Sequence, residues 1–237
     1  MSIVKLLLFV MITIVSLDSH SSETLRVGFV EFPPFYYTDE NGKAQGHITE
    51  LTKQIATKAG FEVSFHSYPP KRLAKNLVAG DVDFWVGLAT LENFSGNTEI
   101  SSMPVVSEVL RAYSTKPMPE IKRKSDLNGR HVIVLLGYSY GDWFDYIKDP
   151  QNNITHESAI KHDQALRMLL SHRVDYLLDY QLPINLALAN METPKLYYHD
   201  VFSIEGHIVV SKKLPNAKQI LRRLEDSYKS LQLNPVK

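Results

Sequence analysis

"VEFPPFYYTDENGKAQG", Val30–Gly46, places four aromatic rings around two prolines directly after an apolar run, then ends in a turn rich in charge and glycine. The run itself, Leu25–Val30, reads as a strand. Beyond the turn, Ile48, Leu51, Ile55, Ala56 and Ala59 recur at helical spacing, and Gly60 stands where a left-handed C-cap belongs. Phe61–Phe65 alternates as a second strand. Pro69-Pro70 starts a helix with Leu73, Leu77 and Val78 on one face, closed by Gly80. "DVDFWVG", Asp81–Gly87, is the next strand, with Asp81 as a turn residue and Trp85 in the core. The order β-α-β-α-β predicts a largely parallel sheet flanked by helices.

If Leu25–Val30 is a central parallel strand, Phe32–Tyr37 lies outside its carboxyl end, where open α/β sheets place their ligands. Pro33 and Pro34 fix the backbone and lower the entropy of holding the rings in place. Such rings can stack on a small organic solute or its cation for roughly 0.5–2 kcal/mol each. The plainer use of the same rings is to cap the core. Both uses are expected, with one or two rings buried and Phe32 or Tyr36 facing a cleft.

After "VLRAYSTKP", the segment "KPMPEIKRKSDLNGR", Lys116–Arg130, has the composition of a connection. A second βα cycle follows: strand His131–Leu136, the turn "GYSYG", and a helix with Trp143, Phe144 and Ile147 inward. Strand Ile154–Glu157, helix Asp163–Ser171, strand Arg173–Leu178 and a helix from about Pro183 continue it. Leu196–His199 and His207–Ser211 read as two further strands, and Asn216–Leu231 as a closing amphipathic helix. Two α/β lobes facing across a cleft are the expected architecture.

At the N-terminus, Lys5, the twelve residues Leu6–Leu17 and the small residues of Ser19-His20-Ser21 read as a secretory signal over residues 1–21. The hydrophobic stretch is shorter than the roughly 20 residues needed to span a bilayer. Secretion to a bacterial periplasm is the expected localisation. The chain has no cysteine, which excludes disulfides, thiolate metal sites and a cysteine nucleophile. Lys plus Arg and Asp plus Glu are 26 each, so no global field directs it to nucleic acid or anionic lipid. Its nine histidines form neither HExxH nor an i, i+4 pair, so they read as surface or packing residues, with no metal or cofactor implied.

"GYSYG", Gly137–Gly141, matches the G-x-S-x-G of a hydrolase nucleophile elbow, following a strand and preceding a helix. The order Ser139, Asp175 or Asp179, then His199 or His207 suits a triad. Against that enzyme reading, no HGGG-like oxyanion loop is present. The alternative is an anion contact at a helix N-terminus without chemistry. Lys71 and Arg72 occupy a first helical turn, where the dipole disfavours cations. Arg72 is either an exposed basic residue or a bidentate partner for a carboxylate.

"LRVGFVEFPPFYYTDENGKAQGHITEL", "NLVAGDVDFWVGLAT", "SDLNGRHVIVLLGYS" and "DQALRMLLSHRVDYLLDY" together resemble the periplasmic solute-binding proteins of family 3, the amino-acid-binding branch of the type 2 periplasmic binding fold. The resemblance implies a Venus-flytrap α/β protein. Its first lobe comprises residues 22–112 and returns at 205–237; residues 113–204 make the second. A small polar solute, such as an amino acid or related carboxylate or amine, would bind between the lobes for an ABC importer or a sensor, the protein acting as a monomer. By the same resemblance, Phe32, Phe35 and Tyr36 supply an aromatic wall. Gly87, Leu88 and Thr90 offer backbone and hydroxyl contacts, Gly137 and Tyr138, Ser139 and Tyr140 an anion contact, and Asp179 a partner for an amino group. The family's T-x-x-R pattern is broken, with Asn93 at the arginine position, and Arg72 is the candidate replacement. A dehydratase on the same fold is the second enzyme alternative.

Overall fold

The computed structural model describes residues 23–89, 94–171, 174–189, 191 and 195–233. The expected signal, Thr90 and Asn93 lie outside the described residues. In chain order the elements are β1 (Glu23–Phe29), the small hairpin β2 (Tyr37–Thr38) and β3 (Ala44–Gln45), α1 (His47–Lys58), β4 (Phe61–Ser67), α2 (Pro70–Ala79), β5 (Phe84–Gly87) and β6 (Thr98–Ile100). They continue with β7 (Val106–Ser114), β8 (His131–Leu135), α3 (Trp143–Ile147), β9 (Thr155–Ala159), α4 (His162–Leu170), β10 (Tyr176–Tyr180), α5 (Gln181–Leu188), β11 (Tyr197–Ser211) and α6 (Ala217–Leu233). Short 3-10 turns cover Lys124–Leu127 and Pro150–Asn152.

Both expected βα cycles are present. β4, β1 and β5 pair in parallel, as do β10, β8 and β9. One path, β4-β1-β5-β11-β7-β10-β8-β9, runs through both sets, with β6 paired to β11. The helical stops are those the glycines dictate: Gly80 adopts φ 86° and its N–H bonds back to Asn76 and Leu77, while Gly60 has φ 80°.

Buried side chains gather accordingly. Leu25, Val27, Ile55, Phe84, Ile208 and Leu224 belong to one cluster. Leu73, Leu77, Val82, Trp85 and Phe94 form a smaller one beneath α2. A separate cluster is drawn from residues 110–184, including Val132, Leu135, Ile147, Leu169 and Leu178. The chain passes from the first cluster to the last between Val105 and Leu110, and back between Ile204 and Ile208.

The structure differs from the sequence reading at this double passage. The expected strands Leu196–His199 and His207–Ser211 are the two ends of one fifteen-residue strand, β11. Its first part pairs antiparallel with β7, and His207–Val210 pair with β5. A register shift between Asp200 and Phe202 absorbs the irregularity. The intervening Asp200, Ser203 and Gly206 hid the strand from a hydropathy reading, because its pairing is supplied by β7 and not by local pattern. Gly206 and Gly87 approach closely at this crossing, a Cβ on Gly206 falling 3.4 Å from the Gly87 Cα.

Candidate functional site

The aromatic turn divides its rings between two tasks. Phe35 and Tyr36 are buried in the first cluster, with Tyr36 stacked on Phe29 at 5.4 Å and its hydroxyl 3.3 Å from the Thr52 hydroxyl. Phe32 stays half-buried and packs against both the first cluster and the one built from residues 110–184. The turn is locked by its own backbone, since the Phe35 and Tyr36 amides donate to the Phe32 carbonyl and the Phe32 amide donates to that of Tyr36. Phe32 stacks on Phe35 at 5.0 Å, meets Tyr138 at 5.0 Å, and stands edge-on to Tyr180 at 5.5 Å.

Opposite the turn, Tyr138 follows β8, and its hydroxyl donates to the Pro33 carbonyl at 2.7 Å. That hydroxyl is also 3.3 Å from Nε2 of His162, the first residue of α4. His162 Nε2 lies 3.4 Å from the same Pro33 oxygen, and its Nδ1 lies 2.7 Å from Asp179 Oδ2 on β10. Asp179 is fully buried, and its other oxygen accepts from the Tyr180 amide at 2.8 Å. Burial pushes the Asp179 carboxyl up, opposed by the His162 hydrogen bond and charge. For His162, burial works against the charged ring, but the hydrogen bond and charge of Asp179 outweigh it and raise its pKa above the ordinary histidine value. Burial, reinforced by Asp179 and Tyr180, keeps the Tyr138 hydroxyl protonated far above the usual phenol range.

Of the residues singled out in the sequence, Phe32, Tyr138 and Asp179 are brought together here. Tyr140 stands behind them, buried, with φ 49° and its hydroxyl accepting from the Leu135 amide at 2.7 Å. Gly87 is half-buried and Leu88 exposed at the end of β5. Arg72 is exposed in the first turn of α2, and no hydrogen bond or ion pair joins it to another described side chain or to Phe32 or Ser139. Sequence reasoning missed His162, Tyr180 and the Pro33 carbonyl. A search for paired histidines passes over a lone one, and nothing in the spacing of His162 and Asp179 reveals that α4 packs beside β10.

The triad reading fails on geometry. Ser139 is exposed, and the helix after it begins only at Trp143, so the serine does not occupy a sharp strand-to-helix elbow. Asp175 accepts from the His131 amide, His199 faces the Met118 carbonyl at 3.1 Å, and His207 is held against Ser101. A shallow hollow of about 530 Å³ borders Tyr37, Gly46, His47 and Glu50, and its lining includes neither Phe32 nor Tyr138.

The class of protein follows from this architecture: an α/β fold of the type 2 periplasmic binding proteins. An ancestral arginine-binding protein bound to arginine superposes with a TM-score of 0.60 at 25% identity, over 91% of this chain and 95% of that one. An ancestral cationic amino acid solute-binding protein superposes with a TM-score of 0.65 at 20% identity, over 89% and 90% of the two chains. Residues 25–93 match the bacterial extracellular solute-binding proteins of family 3, which bears out the resemblance read from the sequence. The L-cystine-binding protein TcyJ of Escherichia coli (strain K12) is 28% identical over 122 residues, 51% of this chain and 46% of that protein. The match thus spans about half the length of that curated relative. Among the described residues no helix is long and apolar enough to cross a membrane.

Proposed function

We propose that this protein binds a small polar solute, an amino acid or a related carboxylate or amine, outside the cytoplasm and releases it chemically unchanged to an ABC importer or a membrane sensor. The observation that carries the reading is the convergence of Phe32, Tyr138, Tyr180 and His162 from separate parts of the chain where the two main buried clusters meet. Residues 22–112 and 205–237 act as one lobe and residues 113–204 as the other, joined by β7 and β11. The solute inserts between them, and its extra contacts in the closed arrangement shift the population toward closure. Phe32 supplies a ring, Phe35 and Tyr36 hold it in place from the core, and the ends of β5 and the 137–140 turn border the cleft. The names of the relatives, which bind arginine, cationic amino acids and L-cystine, support an amino-acid-like solute.

A thermal-shift panel of L-cystine, L-arginine and L-glutamine tests this reading. A solute present at 100 times its Kd is expected to add about 2.7 kcal/mol to stability and raise the melting temperature accordingly. A melting curve unmoved by amino acids, small carboxylates, amines and short peptides would sink it.

Asp175, His199 and His207 each bond elsewhere and none is bonded to Ser139, so a fluorophosphonate probe is expected to leave Ser139 unlabelled. Covalent modification of that serine, found by peptide mass, would restore the hydrolase.

A further inference from the structure

We propose that the His162 imidazole and the Tyr138 hydroxyl form the receiving site for the carboxylate of the bound solute, with Asp179 as a positioning residue that holds the imidazole and not as a contact for an amino group. The inference rests on the solute-binding reading and names the group by which the solute is held.

Two hydrogen-bond donors from different elements converge on one acceptor, the Pro33 carbonyl: the Tyr138 hydroxyl at 2.7 Å and His162 Nε2 at 3.4 Å. Their partners bear on their protonation. Asp179 Oδ2 sits 2.7 Å from Nδ1, so Nδ1 carries a hydrogen that the carboxylate accepts. The Tyr138 hydroxyl has one hydrogen, and at 2.7 Å it goes to Pro33. Nε2 therefore faces only lone pairs, those of the Tyr138 oxygen at 3.3 Å and of Pro33, and makes bonds to them only as N–H. Asp179 raises the His162 pKa and so favours the doubly protonated ring, in which Nε2–H is a second donor directed at the meeting of the two clusters.

The Pro33 carbonyl is a weak match for that pair. A neutral amide oxygen at 3.4 Å engages the imidazolium poorly, whereas a carboxylate oxygen accepts a charge-assisted bond of about twice the strength. Pro33 belongs to the first cluster's aromatic turn, Tyr138 packs against the other cluster and His162 is bonded to Asp179 of β10, so parting the lobes removes the carbonyl and leaves both donors directed at the opening. Asp179 remains on the far side of the ring, fully buried and held by the Tyr180 amide, so it keeps the imidazole charged without facing the solute. The other titratable groups around His162 do not compete. Asp163, next on α4, is engaged by Arg167 at 2.6 Å, and Tyr140 and Tyr180 stand behind Tyr138 with ring centroids at 5.7 and 6.2 Å. A carboxylate between these donors lies beside Phe32, whose ring then covers the solute's apolar part.

The test uses the purified full chain and calorimetry with L-cystine, L-arginine and L-glutamine, each beside its C-terminal carboxamide. The acid is expected to bind at least ten-fold more tightly than the amide. Its affinity is expected to fall as pH rises through the elevated His162 pKa, where the imidazolium loses its Nε2 proton. His162→Gln is expected to raise the Kd of the acid ten-fold or more and to flatten that pH profile. Tyr138→Phe keeps the ring packing and removes only the hydroxyl, and a several-fold loss confined to the acid is expected, which holds even if His162→Gln fails to fold. Acid and amide binding equally, or acid affinity unaltered in Tyr138→Phe and flat with pH, would overturn this inference while leaving the solute-binding reading intact. No binding by any acid or amide would remove both.

Discussion

Gly46→Ala is expected to lower stability by about 3 kcal/mol or more, a fall of roughly 6–12 °C in melting temperature for a chain of this size. Gly46 has φ 116° and ψ 165°, a region essentially reserved for glycine. A Cβ built there falls 2.3 Å from the Phe35 carbonyl oxygen and 2.6 Å from its carbon, both backbone atoms that cannot swing aside. The closeness has a purpose: the His47 amide donates to the Pro34 carbonyl at 3.1 Å and the Ile48 amide to that of Phe35 at 3.0 Å. The first unpaired N–H groups of α1 are thus satisfied by the aromatic turn itself. Because the same turn aims Phe32, the substitution is also expected to weaken solute binding. Chemical denaturation of the variant checks the first effect, and a midpoint equal to that of the parent would show that the turn and helix are not coupled in this way.

Asp83→Ala is expected to cost about 2–3 kcal/mol. Asp83 is nearly fully buried just before β5, and its carboxylate accepts from the Arg26 amide at 2.7 Å, from Arg26 Nε at 3.0 Å and from Arg26 Nη2 at 2.6 Å. Nη2 reaches on to the Gly80 carbonyl. Removing the carboxylate leaves a backbone donor of β1 without its partner beside β5. The guanidinium is half-exposed, so water takes over much of its charge and keeps the loss below that of a fully buried pair. Asp83→Asn retains an acceptor and is expected to lose about half as much. A denaturation midpoint of the alanine variant equal to that of the parent would show that the charge-assisted fork contributes nothing.

The first βαβαβ run was legible because each element carries its own signal: Gly60 and Gly80 end helices, Pro69-Pro70 opens one, and the apolar residues of α1 and α2 repeat on one face. The elements that join the two halves were not. β7 was passed over and β11 was split in two, because each is stabilised by the other across many residues and shows little periodicity of its own. The site divides similarly. The rings of Phe32 and Tyr138 follow from their places after strands, but which of the turn's rings is buried depends on packing against Phe29 and Thr52. His162 was unreadable, since its meaning comes from Asp179, which α4 meets only after the sheet is assembled.

The place of β11 bears on how the molecule comes into being. It lies between β5 and β7, so the middle of the sheet is laid down from residues 197–211, and Ile220, Leu221 and Leu224 of α6 close the cluster begun by Leu25 and Val27. The strands β1, β4 and β5 are made before their neighbour β11 and the covering helix α6, which are in place only once residues 197–233 have been synthesised. Synthesis thus precedes consolidation of these strands, and a nascent chain stalled before residue 197 carries β5 with an unfilled edge.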